Sequence, residues 1–436
     1  MSELRKRIDE VLAGTCWAAG AQDLAEQLGT RDEIAAALVA LSPASFAGLT
    51  RACASNLDAA RFLSHRRDLA LRLSAPDAEW PARRSAELDS ETGPRGAADD
   101  LESFLDSLRL LRRDETLLAA MLDFGGLVPF QEISALLSAI AEAITRSALA
   151  AARESVGSDP PPLAVVALGK LGGREFTYES DLDLIFLHDG PTAGLATSSR
   201  VAQRLISYVS TSTGAGLGYR VDARLRPSGR QGTLVTSLPA FERYQLEEAA
   251  TWEHLALVRA RPIAGPIEPT QRALDRLRGR VFGRSQWAAI ADMRGRVEAE
   301  RGSEGGRYIS LKTGAGGLMD AEFLAQGAAL ELGLAPERSK LPDVPALLRQ
   351  FGGDGAAEPI AAYRLLRRVE SRARWISRRP VEQLDRNDPK FAEISELCEP
   401  GWSPATLDAQ IGEARKTLRR AYDRVIQAGT ARALAD

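Results

Sequence analysis

Apolar residues recur at the spacing of helices over the first 155 residues of the chain. Residues 33–41 and 60–73 carry apolar side chains three and four positions apart, which is the period of an amphipathic helix. Residues 101–155 continue this pattern over a longer run. The first apolar face of that run consists of Leu101, Phe104, Leu105 and Leu108. The pattern therefore predicts short helices up to residue 88 and long helices from residue 101.

Two polar stretches interrupt these helices. Residues 89–100 contain Gly and Pro among polar side chains, so we expect a linker there. Asp99 or Asp100 would cap the helix that follows, because an aspartate side chain can accept a hydrogen bond from the free backbone N–H groups of a helix start. Residues 157–162 hold three prolines, which end the helical stretch and lead the chain into a strand.

Strands and helices mix between residues 163 and 265. Residues 163–168 and 184–187 are continuous apolar runs, which are typical of buried strands. A helix is predicted at 198–212, and its inward side chains would be Val201, Leu205, Ile206 and Val209. Beyond about residue 270 the helical period returns, broken by glycine-rich turns. The expected fold class is α+β, a mostly helical chain with a small mixed sheet flanked by helical regions and a C-terminal helical bundle.

A glycine-rich turn joins the two apolar runs and leads to two aspartates. The turn contains Gly169, Gly172 and Gly173, and Asp181 and Asp183 begin the second run. Because alternate residues of a strand point to one side, the two carboxylates would lie together while the neighbouring leucines face a core. Close carboxylates repel each other unless a cation lies between them. Mg²⁺ or Mn²⁺, which prefer oxygen ligands, are the expected cations.

A third aspartate follows in a segment that alternates like a strand. Asp222 would join Asp181 and Asp183 from a neighbouring strand. Arg224 and Arg226 alternate in phase with Asp222, so they would face either the same cleft or a surface. An isolated Asp-x-Asp is a weak signal, but this one precedes an apolar strand and a glycine turn precedes it. The combination is the layout of two-metal nucleotidyl transfer.

Lysine is rare in this chain, which contains 50 Arg but 6 Lys. Two of the six, Lys170 and Lys312, fall inside glycine-rich motifs. A lysine is a compact charge on a flexible stem, suited to a phosphate oxygen beside backbone amides. Both lysines are therefore candidates for contact with a phosphate, although chance alone would also place a lysine near glycines.

Composition excludes several classes of protein. The net charge is −3 and the isoelectric point is near 5.9, which disfavours a general nucleic-acid binder. The three cysteines, Cys16, Cys53 and Cys398, are too few and too widely spaced for a disulfide framework or a zinc cluster. The charged N-terminus does not look like a signal peptide, and we expect no segment to span a membrane. The predicted location is the cytoplasm.

Taken together, these motifs resemble those of the glutamine synthetase adenylyltransferase family. Several motifs in the same order over about 150 residues are far more specific than any one alone, and looser similarity extends over most of the chain. The similar segments are 169–175, 180–186, 221–229, 234–237, 252–254, 258–261 and 311–323.

The resemblance implies a domain organisation. The expected regions are an N-terminal helical region at 1–95, a nucleotidyltransferase catalytic domain at 96–270 and a C-terminal helical bundle at 271–436. Full-length members carry two catalytic halves, one that adenylylates and one that deadenylylates, whereas this chain has one glycine turn and one Asp-x-Asp. It looks like a free-standing half. It is more similar to the adenylylating half than to the deadenylylating half at residues 251–254, at residues 259–261 and in having Asp320.

The resemblance also implies a site and a reaction. Asp181, Asp183 and Asp222 would be the catalytic and metal-binding residues, and Mg²⁺ or Mn²⁺ would accompany ATP. AMP would be transferred to a tyrosine hydroxyl of glutamine synthetase, or removed by phosphate, and a nitrogen-signalling protein is a possible regulator. The residues expected to contact the nucleotide are Lys170, Gly172, Gly173, Ser180, Arg224, Arg226 and Lys312.

Two other functions stay open at this point. The chain could be a nucleotidyltransferase for another protein or a small-molecule hydroxyl, or a non-catalytic regulatory relative that binds glutamine synthetase. Three further residue predictions concern packing. Trp252 is expected in the core, His254 is expected to be structural rather than ligand-binding, and the arginines of 364–374 are expected on a solvated helix face.

Overall fold

The structure is a computed structural model that describes residues 2–90, 100–157, 162–283, 286–302, 305–333 and 343–433. It contains helical regions before and after a small mixed sheet. The predicted α+β fold class is therefore confirmed.

Nine helices precede the first strand in the described residues. They are α1 (Ser2–Leu12), α2 (Ala21–Leu28), α3 (Asp32–Val39), α4 (Pro43–Ser55), α5 (Leu57–Ser64), α6 (Arg67–Arg72), α7 (Trp80–Ser90), α8 (Leu101–Phe124) and α9 (Phe130–Val156). The helical run predicted at 60–73 is thus divided between α5 and α6. The expected linker lies mostly in 91–99, outside the described residues.

The start of α8 follows the sequence prediction closely. The carboxylate of Asp100 accepts a hydrogen bond from the backbone N–H of Ser103 at 3.1 Å, so the predicted cap is confirmed for this aspartate. The predicted apolar face is buried at three of its four positions. Leu101, at the first turn, is instead 41% exposed.

The sheet and its helices occupy the middle of the chain. Their order is β1 (Leu163–Ala167), α10 (Gly169–Gly172), β2 (Leu182–His188), α11 (Leu195–Ser210), β3 (Val221–Asp222), β4 (Val235–Ser237), α12 (Leu238–Glu247), α13 (Thr251–Val258), β5 (Arg261–Ala264) and α14 (Ile267–Val281). Strand order is β3-β2-β1-β5, and β4 also pairs with β2. The β1 strand is antiparallel to β2 and β5, whereas β2 is parallel to β3 and β4. Residues 168–181, which include α10, join the antiparallel strands β1 and β2, and α11 lies in the crossover from β2 to the parallel β3.

The C-terminal region is helical again. It contains α15 (Trp287–Arg301), β6 (Tyr308–Ile309), α16 (Leu318–Leu332), α17 (Val344–Gly352), α18 (Ala357–Ser377), β7 (Leu384–Asp385), α19 (Lys390–Cys398) and α20 (Pro404–Ala433). The short β6 and β7 strands pair with each other and not with the main sheet. Helix α18 packs on α16, α17, α19 and α20 and forms the centre of this region.

Helix α9 is the most apolar long helix among the described residues. By length and composition it could cross a membrane, contrary to the expectation that no segment would be long and apolar enough. However, 83% of its apolar window is buried inside the protein, against α7, α8, α11 and β5. Its composition is therefore that of a core helix that its neighbours mostly cover.

Two packing predictions were wrong. Trp252 is 40% exposed, because α13 directs Leu255, Leu257 and Val258 into the core instead. The arginine-rich stretch 364–374 belongs to α18, where Arg367, Arg372 and Arg374 are buried rather than solvated. Arg372 pairs with Asp123 and Arg367 with Glu322, both from distant parts of the chain, whereas Arg374 pairs with Glu370 on α18 itself. The local pattern of charges could not reveal the distant partners.

One of these buried pairs joins α18 to α8. The Nη2 atom of Arg372 lies 2.7 Å from Oδ1 of Asp123, and both side chains are almost completely buried. The Tyr178 hydroxyl donates a further hydrogen bond of 2.9 Å to the same aspartate. The buried charge of Asp123 is therefore stabilised by side chains from two other segments of the chain.

We predict that Arg372→Met lowers the free energy of unfolding by about 3 kcal/mol or more, because it leaves Asp123 buried without its cation. Arg296→Met is the control, since Arg296 pairs with Asp292 on the surface at 3.1 Å and should contribute less than about 1 kcal/mol. Urea-unfolding curves of both variants give the comparison. Equal losses for the two variants would contradict the assignment of the Arg372 pair as a buried link.

Candidate active site

Three carboxylates meet where β2 and β3 begin to pair. The two strands are parallel, and Asp183 lies directly opposite Asp222 in their register. Asp181 stands two residues before Asp183, just before β2 begins, while Leu182 and Leu184 are fully buried. The predicted alternation of carboxylates and core leucines is therefore present in the structure, and the three aspartates form one end of the sheet.

The backbone of the glycine turn touches this end of the sheet at Gly169. A Cβ atom at that position would lie 2.4 Å from Oδ2 of Asp183, and the residue has a φ of +55°. The backbone N–H of Leu168 also donates to the carbonyl of Asp183 at 2.9 Å. Glycine at 169 therefore leaves the space that the Asp183 carboxylate occupies. The sequence contained this glycine in the turn but gave no reason to single it out.

The electrostatics show that these carboxylates and two lysines share one site. Burial is the largest cause of the raised pKa of Asp183, which is about 6. The positive charges of Lys312 and Lys170 oppose that rise in pKa, whereas the negative charges of Asp222 and Asp181 add to it. The two lysines predicted from the glycine-rich motifs thus lie near the predicted acidic cluster. Lys312 reaches it from the loop before α16.

Exposed arginines engage two of the carboxylates. Arg220 donates from Nε to Asp181 at 2.8 Å, and Arg224 donates from Nε to Asp222 at 2.9 Å. Among the described residues, no group of three or more His, Cys, Asp and Glu side chains has the arrangement of a metal site. The oxygen donors nevertheless suit Mg²⁺ or Mn²⁺, and exposed ion pairs contribute at most about 1 kcal/mol, so a divalent cation could displace them. The metal site stays a prediction.

Lys170 is half-buried and lies among other cations. Its Nζ is 3.4 Å from Oε1 of Glu370 on α18. The pKa of Lys170 is lowered to about 7, mainly by burial and also by the positive charges of Arg374, Arg367 and Lys312, whereas Glu370 acts in the opposite direction. Several cations therefore lie close to one another. An anionic ligand placed here would offset their mutual repulsion.

Three other predicted nucleotide contacts are engaged with the protein itself. A Cβ atom at Gly172 would lie 2.0 Å from the carbonyl oxygen of Arg259, and one at Gly173 would lie 3.1 Å from Cδ of the same arginine. The Ser180 hydroxyl is 2.7 Å from the hydroxyl of Thr177. Glycine is thus required at 172 because the backbone packs closely against the carbonyl of Arg259, and not because a ligand space must be left open. A role of these three residues toward a nucleotide stays a prediction.

The predicted strand alternation after Asp222 was wrong. The β3 strand ends at Asp222 and the chain enters a turn, so Arg224 and Arg226 are not in phase with the aspartate along a strand. The Asp222 carboxylate also accepts the backbone N–H of Arg224 at 2.9 Å, which favours a turn over an extended strand. Arg226 donates to the carbonyl oxygens of Ala223 and Gly232 within this loop. Arg224 remains beside the carboxylates.

The sequence missed the buried ion pairs behind the glycine turn. Glu175, at the end of the turn, accepts from Nη1 of Arg259 at 2.8 Å and from the hydroxyl of Tyr363 at 2.9 Å. Glu322 accepts from Nη2 of Arg367 at 2.6 Å and from Arg259 at 3.3 Å. These contacts attach the turn to α16 and α18. The only signal in the sequence was the three- and four-residue spacing of Arg and Glu along α18, which also occurs on solvated helices.

His254 and Asp320 are structural. His254 shares a hydrogen bond of 3.0 Å between Nε2 and the carbonyl of Gln245, as expected for a histidine that supports the fold. Asp320 accepts the backbone N–H of Gly316 at 2.8 Å and pairs with buried Arg294, which in turn donates to the carbonyl of Gly314 at 2.8 Å. Asp320 and Arg294 thereby hold the glycine turn that follows Lys312.

Comparisons with known proteins agree with this geometry. A family model described as glutamate-ammonia ligase adenylyltransferase matches residues 62–276, and one described as GlnD PII-uridylyltransferase matches residues 287–428. Relatives named bifunctional glutamine synthetase adenylyltransferase/adenylyl-removing enzyme include that of Thioalkalivibrio sulfidiphilus, which is 32% identical over 98% of this chain and 46% of its own length. Those of Burkholderia mallei and Neisseria meningitidis serogroup A are 37% and 38% identical over 68% and 57% of this chain, and 34% and 28% of their own lengths.

The matched family models and relatives are named as adenylyltransferases or uridylyltransferases, which are nucleotidyltransferases. The chain belongs to the glutamine synthetase adenylyltransferase family. The chain spans about half the length, or less, of the curated relatives that it matches.

We predict that Asp183→Asn and Gly169→Ala each weaken Mn²⁺ binding by at least about tenfold, because the first removes a ligand charge and the second displaces the same carboxylate. Gly353→Ala is the matched control, since Gly353 also has a positive φ of +52° but no atom lies within 4 Å of its Cβ position. Electron paramagnetic resonance of free Mn²⁺ measures the affinity. Equal binding by wild type and both site variants would show that these carboxylates do not hold the cation.

Proposed function

We propose that this chain transfers AMP from ATP to a tyrosine hydroxyl of glutamine synthetase, or removes that AMP with phosphate. The observation that carries this proposal is the juxtaposition of Asp181, Asp183 and Asp222 with Lys170 and Lys312 at one end of the sheet. The relatives are named as enzymes that carry out both directions. A site with acidic and basic residues side by side suits a cation and a polyphosphate together.

The acidic residues would hold the cation that accompanies ATP. Asp183 and Asp222 offer oxygens from adjacent strands, and Asp181 adds a third carboxylate from the preceding turn. When bound, Mg²⁺ would neutralise phosphate charge and lower the pKa of the attacking hydroxyl. Arg220 and Arg224 are exposed, so both could release their aspartates and turn toward phosphate oxygens.

The basic residues would orient the phosphates. Lys312 comes from a turn that Asp320 and Arg294 hold in place, so its position does not depend on the nucleotide. Lys170 is held by Glu370. Phosphoryl-type transfer requires mainly positioning and charge neutralisation, and therefore few further catalytic groups are needed. We propose residues 96–270 as the catalytic domain, completed by Lys312 and Glu370 from the helical bundle at 271–436.

Partner and location follow from the same proposal. The match of residues 287–428 to a PII-uridylyltransferase model supports a nitrogen-signalling protein as a candidate regulator that contacts the C-terminal helices. Cys16, Cys53 and Cys398 are all free, which is consistent with a reducing cytoplasm. The alternative acceptors, another protein or a small molecule, are separated from glutamine synthetase by the following experiment.

We predict that purified glutamine synthetase incubated with this protein, ATP and Mg²⁺ gains one AMP per subunit, as measured by intact mass. The double variant Asp181→Ala/Asp183→Ala should produce no gain in mass, because the protein then lacks two of the three carboxylates that would bind the cation of the ATP complex. Pre-adenylylated glutamine synthetase incubated with phosphate tests the opposite direction. Loss of AMP in that reaction alone would assign the chain to removal. No change in either direction would contradict glutamine synthetase as the substrate.

A second prediction concerns the lysine contributed by the C-terminal region. Lys312→Ala should raise the KM for ATP by about tenfold, because one charge-assisted phosphate contact is lost. Lys416→Ala is the control, since Lys416 is exposed and pairs with Glu413 on α20 at 2.8 Å. Steady-state kinetics with varied ATP measure the effect. A KM that stays at the wild-type value in both variants would remove Lys312 from the nucleotide site.

A further inference from the structure

The residue that leads into the acidic motif has an unusual backbone conformation. Glu179, two residues before Asp181, has a φ of +49°. A non-glycine residue with positive φ is uncommon, because its Cβ approaches the neighbouring carbonyl oxygen. Such a conformation persists only when the surrounding structure holds it. The contacts that hold Glu179 therefore determine the direction in which the chain enters β2.

Two arginines from opposite helical regions hold Glu179. Arg112 of α8 donates from Nη2 to the Glu179 carboxylate at 2.8 Å. Arg374 of α18 donates from Nη1 to the Glu179 carbonyl oxygen at 3.2 Å. One arginine thus fixes the side chain of this residue and the other fixes its backbone. Both arginines are mostly buried, so neither bond competes freely with water.

Each arginine also binds a second segment of the site. Arg112 donates from Nη1 to the carbonyls of Leu217 and Gly218 at 3.1 and 2.8 Å, and its guanidinium lies 4.2 Å from the ring centroid of Tyr219. These residues lead into β3 and Asp222. Arg112 therefore joins the approach to one aspartate motif to the approach to the other.

Arg374 makes the equivalent connection on the other side of the turn. Its Nη2 donates to Oε1 of Glu370 at 3.0 Å, and the same oxygen lies 3.4 Å from Nζ of Lys170. Glu370 and Arg374 are one turn apart on α18 and so present both contacts from one helix face. A single helix thereby holds the lysine of the glycine turn and the carbonyl that precedes the acidic motif.

The position of Asp181 depends on this residue more than the position of Asp183 does. Asp183 lies within β2, paired with β3 and in contact with Gly169. Asp181 precedes the strand, and the nearest sheet bond, from the N–H of Leu182 to the carbonyl of Arg220 at 2.8 Å, comes after it. Rotation of the backbone at Glu179 would therefore redirect Asp181 while leaving the strand in place.

We propose that Arg112 and Arg374 are positioning residues that hold Glu179 in its left-handed conformation and so aim Asp181 at the shared site. This rests on the proposed nucleotidyl transfer at that site. Neither arginine is among the residues proposed to hold the cation or to contact the nucleotide. They connect the catalytic end of the sheet to α8 on one side and to α18 on the other.

The experiment compares Arg374→Gln with the double variant Glu179→Gly/Arg374→Gln. Arg374→Gln should lower kcat roughly tenfold or more, with a smaller change in the KM for the protein substrate, because a displaced carboxylate impairs the reaction more than docking. Glycine adopts positive φ without a steric cost, so Glu179→Gly should restore part of the lost kcat. Arg378→Gln is the control, since Arg378 directly follows the end of α18 and pairs with Asp58 at 3.0 Å.

Hydrogen–deuterium exchange of residues 177–183 provides a readout that does not depend on activity. Exchange there should rise in Arg374→Gln and stay at the wild-type level in Arg378→Gln, while circular dichroism shows both to be folded. Unchanged exchange in Arg374→Gln would overturn the proposal, and so would a double variant no more active than the single one. An inactive wild type in which Arg374→Gln still raises exchange would instead count against the proposed function and support the positioning contact.

Discussion

The buried ion pairs behind the glycine turn are the interaction on which the rest of this structure depends. Charges removed from water are costly unless every one is paired, and loss of one partner leaves an uncompensated charge worth about 3–5 kcal/mol. The set begins and ends on the glycine turn and passes through two C-terminal helices, so its members can only be satisfied together. In spatial order they are Lys170, Glu370, Arg367, Glu322, Arg259 and Glu175.

This constraint makes the site a product of distant segments. The carboxylates lie on a sheet between residues 163 and 264, yet Lys312 and Glu370 come from beyond it. The two family models match residues 62–276 and 287–428, whereas the sequence predicted a domain boundary after residue 270. That domain boundary stays a prediction, but the buried ion pairs join residues on its two sides. A sheet fragment separated from α16 and α18 would leave Lys170 without Glu370 and Arg259 without Glu322.

Local patterns in the sequence predicted what depends on local patterns. The 3.6-residue period of apolar side chains predicted the helices. The two-residue period predicted that the carboxylates and the core leucines around Asp183 lie on opposite faces, because both patterns arise from neighbours along the chain. The solvated face expected at 364–374 was wrong because the partner of Arg372 lies 249 positions away, at Asp123. Gly169 and Gly172 look alike in the sequence, but one makes room for a carboxylate and the other for a backbone carbonyl. Only the tertiary structure distinguishes them.

These contacts offer a physical reason why the chain contains far more arginine than lysine. A guanidinium presents several N–H groups in a fixed plane, so one side chain can bind separate acceptors. Arg112 does so with a carboxylate, two carbonyls and an aromatic ring, and Arg374 joins a carbonyl to Glu370. An ammonium group cannot span such sets. The two lysines near the carboxylates are those proposed to contact phosphates, so in this proposal arginine fixes the geometry of the site and lysine binds the ligand.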